Sequence, residues 1–220
     1  MPKAAQADAT PDPVYPRLIL IKEDGIERGG IEVPETRDTD RSVTIIIKPG
    51  ARYTTGLHWH ERKNEYLQVL QGHALVTVGG DTEVFGPDDG IITVSRFTPH
   101  EFGRADQHEQ GADSKNIELR IKEWTDPPDG EKEVFFRNIL GVINSREPGV
   151  VGTMKLLLSI VAVFREHDNY PVIIKGPAVV RRWTTYLVIG FISVVSRLFG
   201  FRGTDAKYTP PDILQELQHR

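Results

Sequence analysis

The feature that most constrains the fold is a succession of short β-rich segments, each ended by a turn signal, running from Arg17 to Trp124. Arg17–Lys22, Gly30–Val33 and Ser42–Lys48 are rich in branched apolar residues; Glu23-Asp24-Gly25 separates the first two, and Pro49-Gly50 ends the third. Gly56–Glu61, Glu65–Gln71, His73–Val78, Thr82–Phe85 and Ile91–Ser95 follow, divided by breaks such as Gly79-Gly80-Asp81 and Gly86-Pro87-Asp88-Asp89-Gly90. A last segment, Asn116–Trp124, comes after a polar loop, Ala105–Lys115. Segments this short and this evenly punctuated predict the strands of an antiparallel barrel or sandwich.

At Thr125-Asp126-Pro127-Pro128-Asp129-Gly130 the apolar period changes from two to that of a helix. A helix is expected from Glu131, with Glu133, Arg137, Gly141 and Asn144 as a polar or small stripe; a second over Val151–Arg165; a third over Ala178–Phe199; and a short polar one over Tyr208–Arg220. The expected division is therefore a flexible amino terminus over 1–16, a β-barrel over 17–124 and a helical extension over 125–220.

Charged residues make up 26% of the chain and apolar ones 39%, which suits a folded protein, and the net charge of −4 argues against nucleic acid as a partner. There is no cysteine, so disulfides, thiolate nucleophiles and thiolate-held metals are excluded. Residues 1–16 lack the apolar core of a secretion signal, so a cytoplasmic, non-secreted protein is expected.

Within the strand-rich region, His58 and His60 are two apart, a spacing that sends both imidazoles to one face of a strand while Trp59 takes the other. A turn through Glu61–Asn64 would bring the carboxylate of Glu65 back beside them, and His100, after the strand Ile91–Ser95, can return to the same point in a closed barrel. His58, His60, Glu65 and His100 would together form a metal site of three nitrogens and one carboxylate.

These residues resemble the motifs of the cupin superfamily. His58, His60, Glu65 and Gly72 match the type and spacing of its first motif, and Pro99-His100 matches the metal histidine of its second. Gly50 stands further upstream than in the usual pattern; Ser95 and Phe97 replace Pro and Gly, and Arg104 replaces Asn. The resemblance covers Arg41 to about Trp124. It implies a mainly β fold, a cupin-type antiparallel jelly-roll barrel followed by an α-helical extension, with one divalent ion held by His58, His60, Glu65 and His100. Iron, manganese, nickel, cobalt and zinc all suit such ligands. Together with the strand-forming amino terminus it also implies a homodimer.

Parity places Leu67, Val69, Thr98 and Phe102 beside the ligands, so the pocket is expected to be mostly apolar and to suit an aromatic, enolic or polyketide-like small molecule. Arg52, Tyr53, Tyr66, Arg96 and Arg104 are the nearby groups able to bind a carboxylate or shuttle a proton, with a surface role the favoured expectation for each, and His73, His108, His167 and His219 are expected to be solvated. The favoured activity is oxygenation or oxidative cleavage. Non-redox isomerisation, cyclisation or decarboxylation is the second reading, and a ligand-binding cupin tethered by its tail is the third. Between Arg182 and Arg197 no residue is charged. That run is short of a bilayer span, so packing of the third helix on the second or on the barrel is expected, while residues 178–201 leave a membrane contact open.

Overall fold

The computed structural model describes residues 15–23, 25–35 and 41–218. Most of the expected flexible terminus, Asp24 of the first turn, and His219 lie outside these residues. Two antiparallel sheets face each other. The larger has the order β1 (Leu18–Glu23), β2 (Ile26–Glu32), β3 (Val43–Ile47), β10 (Leu119–Asp126), β5 (Asn64–Gln71), β8 (Ile91–Val94). In the smaller, β11 (Tyr170–Pro171) lies beside β4 (His58–Trp59), followed by β9 (His100–Arg104), β6 (Ala74–Val78) and β7 (Asp81–Phe85).

The alternation read from the sequence is the alternation of burial. Along β5, Glu65, Leu67 and Val69 face inward, and along β10, Leu119, Ile121, Glu123 and Thr125 do so. Ile31, Ile45, Ile47, Val76 and Phe102 complete the apolar filling between the sheets. Gly72 turns the chain between β5 and β6 at φ +73°, and a Cβ there would lie 3.1 Å from the carbonyl of Glu118. A side chain would thus be strained twice, by backbone conformation and by crowding.

The helices α1 (Glu131–Asn144), α2 (Gly149–Glu166), α3 (Ala178–Leu198) and α4 (Pro211–Gln218) follow. They are tied into the barrel: Phe136, Ile139 and Leu140 of α1 and Val163 of α2 belong to the same core as the strands. Most of the polar stripe of α1 faces inward: Glu133 and Arg137 are buried and Gly141 half-buried, while Asn144 is exposed. Arg137 donates to Glu133 at 2.7 Å and to the carbonyl of Pro16 at 3.0 Å, Gly141 lies against the ring of Tyr208, and Asn144 donates to the carbonyl of Leu20 at 2.8 Å. Two strands were not legible beforehand. His100 begins a strand of its own, β9, and β11 comes from within the helical extension to pair with β4, Tyr170 opposite Trp59.

Candidate metal centre

β4 is only two residues long, but its register sets His58 directly opposite His100. Glu65 enters as the second residue of β5, on its inward face. The structure thus brings together all four residues named from the sequence. His58, His60, Glu65 and His100 are all buried, and one ligand atom from each lies within 4.8 Å of the others.

The three imidazoles are oriented alike by main-chain carbonyls. Nδ1 of His58 meets the carbonyl of Gly56 at 2.7 Å, that of His60 meets Asp168 at 2.7 Å, and that of His100 meets Thr98 at 3.0 Å. A carbonyl only accepts, so each Nδ1 carries the proton. In the neutral ring each Nε2 then presents a lone pair, the tautomer that metal-ligating histidines adopt. His60 Nε2 lies 2.9 Å from Glu65 Oε2. His100 Nε2 lies 3.1 Å from Glu65 Oε1, yet it is buried without a well-formed hydrogen bond. A divalent cation would satisfy this donor set, and the residues present fit one.

Two residues not singled out from the sequence, Lys132 and Glu123, join the cluster. Lys132, the second residue of α1, is 8% exposed; its ammonium contacts Glu65 Oε2, lies 2.5 Å from Glu123 Oε1 and is 3.4 Å from His60 Nε2. Glu123 had a signal, because it follows Leu119 and Ile121 at every second position of a strand whose alternate residues are buried. Lys132 had none: at the start of an amphipathic helix a lysine reads as solvated until the docking of that helix is known.

The charges explain the titration of the cluster. Burial lowers the pKa of His58 well below its ordinary value, helped by repulsion from His100 and His60. Burial also lowers His60, with Lys132 adding to the effect. For His100 burial pulls downward, but the attraction of Glu65 outweighs it and the pKa rises. Burial would raise Glu65; Lys132 and His100 overcome it and hold the carboxyl well below its ordinary range. Glu123 is pushed up to about 7 by burial and by Glu65, against the opposing pull of Lys132.

The apolar pocket expected from parity is not what adjoins the ligands. Leu67, Val69 and Phe102 are inside, but they are consumed by the core. Beneath the first turn of α1, a space of about 20 Å³ adjoins His60 and is lined among others by Lys63, Thr125, Lys132, Phe135, His167 and Asn169. Several surface expectations are corrected as well. His167 is buried at the end of α2, 3.2 Å from the hydroxyl of Thr204. Arg104 is sequestered, donating to the carbonyls of Ile47 and Ser114 at 3.0 and 2.9 Å, and so fixes a loop rather than facing solvent. Tyr53 packs against the core, and burial raises its pKa. Arg52 and Arg96 are exposed as expected.

A small antiparallel barrel with three histidines and a glutamate converging inside it defines a class. Residues 43–111, which include all four, match the family described as Cupin domain, and the chain carries a domain of the cupin superfamily. Similar solved structures include KdgF from Halomonas sp., at 21% identity over 38% of this chain and 67% of that one with a TM-score of 0.30. Another is a predicted oxalate decarboxylase from Thermotoga maritima, at 15% identity over 43% and 76% with a TM-score of 0.34. The capsular polysaccharide assembling protein CapF from Staphylococcus aureus is 22% identical over 51% of this chain, with a TM-score of 0.35, and only 31% of CapF is covered. No curated protein matches the chain.

Proposed function

We propose that the chain is a metal-dependent enzyme acting on a small organic substrate, with His58, His60, Glu65 and His100 as ligands of one divalent ion. The observation that carries this reading is the common anchoring of the three Nδ1 atoms on carbonyls, which leaves three Nε2 atoms to converge with Glu65. When bound, such an ion supplies positive charge to polarise a carbonyl or enolate and, if redox-active, one-electron chemistry. Lys132 would hold a negatively charged substrate oxygen.

Oxidative cleavage or oxygenation remains the first reaction class. A non-redox isomerase, cyclase or decarboxylase is the second, and the Lys132–Glu123 pair favours it. Glu123, buried against Lys132 beside the ligands and with its pKa pushed upward by burial and by Glu65, would be the proton carrier in such a reaction. The two are separated by reconstituting the full chain with iron and, separately, with zinc, and following enolic, phenolic and diketone substrates with and without oxygen. Oxygen uptake coupled to product, with iron alone, supports the first class. Turnover that persists anaerobically and with zinc excludes it. A homodimer through the edge strand β1 belongs to the same proposal, and a monomeric mass in solution would rule it out.

A further inference from the structure

The third helix is inside out. Its buried positions are Thr185, Ile189, Ser193 and Ser196, three of them hydroxyl residues, whereas Trp183, Leu187, Phe191, Val194 and Leu198 are exposed, Leu187 by 69%, Phe191 by 71% and Leu198 by 81%. The inward hydroxyls are all bonded. Thr185 donates to the carbonyl of Pro171 at 3.0 Å, Ser193 to Ile189 at 2.6 Å, and Ser196 to Leu158 of α2 at 2.9 Å. The small polar face is thus the docking face, and the large apolar side chains have no cover among the described residues. The helix packs on α2 as expected, but through this hydroxyl face, and only 17% of its most apolar part is buried. Along this helix of 21 residues the stripe from Trp183 to Leu198 runs for about 22 Å.

Charge indicates what covers it. Between Asn169 and Thr204 there are five basic residues, Lys175, Arg181, Arg182, Arg197 and Arg202, and no acidic one, in a chain whose net charge is −4. A second copy of the same face would oppose like charges. An anionic lipid surface would match both parts of the pattern, the aliphatic stripe entering the acyl boundary while the arginines stay at the headgroups beside Trp183. The helix is held in the plane of that surface rather than across it. Its middle is fastened to the barrel by Thr185 and by the hydroxyl of Tyr186, which donates to the Glu61 carboxylate.

We infer that the outer face of α3 docks on the surface of an anionic phospholipid bilayer. This inference is independent of the metal reading. It is tested by co-sedimentation of the full chain with phosphatidylcholine vesicles and with mixed phosphatidylcholine–phosphatidylserine vesicles, using the wild type, Leu187→Glu and Phe191→Glu. The wild type is expected to bind the mixed vesicles, to bind pure phosphatidylcholine much less, and to be released by salt. Each variant should lose about tenfold or more in vesicle partitioning with unchanged circular dichroism and melting, since both side chains are exposed. Absence of wild-type binding, or equal binding by the variants, overturns the inference. A stable dimer in solution that the same substitutions dissociate would also overturn it, by assigning the face to a second copy.

Discussion

Lys132 places a fixed positive charge where a cation is expected, touching the one anionic ligand of the cluster. An ammonium and a divalent ion compete for Glu65, so Lys132 weakens metal binding in proportion to their repulsion. Lys132→Met is expected to tighten metal affinity about tenfold or more, measured by calorimetric titration. Its metal-free form should melt earlier, because Glu65 and Glu123 are left buried without their cation, and added metal should restore the melting temperature. Equal or weaker affinity in the variant would exclude the competition. Nearby, Glu131 is held far below its ordinary pKa; burial opposes this, but His167, Lys63 and Arg62 outweigh it. A depressed carboxyl stabilises the fold above its unfolded value of 4.5 and loses that contribution as pH falls below it. Glu131→Gln should therefore cost about 1–2 kcal/mol at neutral pH and flatten the acid limb of a denaturation curve. An unchanged acid limb would show that the pairing is not coupled to folding. The ligands themselves were legible at this scale because strand parity and the spacing of His58, His60 and Glu65 are local properties; Lys132 was not, since its place depends on where α1 docks.

Among the elements, the loops that depart from the family pattern are supported by the helical extension. Phe97 stands where the second motif has glycine, and it adopts φ +65°, a conformation costly for an aromatic residue. The guanidinium of Arg182, on α3, lies 4.7 Å from the centre of its ring. A double-mutant cycle with Phe97→Gly and Arg182→Ala should give a coupling of about 0.5–1 kcal/mol, with Phe97→Gly alone nearly neutral because relief of strain offsets the lost contact. Zero coupling would remove the cation–π account. Asp168 does more. Its carbonyl orients His60, and its carboxylate accepts from the backbone of Glu61 at 3.0 Å and of Arg62 at 2.8 Å. Asp168→Ala should lower stability by about 2 kcal/mol and weaken metal binding, whereas Asp168→Asn, which tolerates the φ of +57° at this position, should retain more of both. Identical melting curves for the two variants would contradict this role. Strands β9 and β11 escaped the sequence reading for different reasons: the Gly103-Arg104 end of β9 lacks apolar alternation, and β11 is two residues whose pairing is entirely tertiary.

On the scale of the whole molecule, the change of texture at Thr125 is a change of secondary structure. We propose that it is not a boundary between independently folding units. Core residues of α1 and α2 pack with those of both sheets, Tyr170 stacks on Trp59 at 5.8 Å between ring centres, and the extension supplies Lys132, Asp168 and strand β11 to the site. A chain ending at Asp126 should thus be insoluble or molten, judged by near-ultraviolet circular dichroism. A soluble truncated barrel that binds metal as well as the full chain would show that the extension is accessory. Composition reveals such a boundary but not the packing across it, because which face of a helix is inward depends on partners distant in the chain, as the hydroxyl face of α3 illustrates.

Everything proposed for the barrel turns on one metal ion held by His58, His60, Glu65 and His100. The most direct test is the metal content of the purified full chain, measured by mass spectrometry of the elements beside His58→Ala and Glu65→Gln. About one divalent ion per chain is expected after reconstitution, with most of it lost in both variants and the fold retained by circular dichroism. A wild type that retains no divalent metal, or variants that retain as much as the wild type, would contradict it.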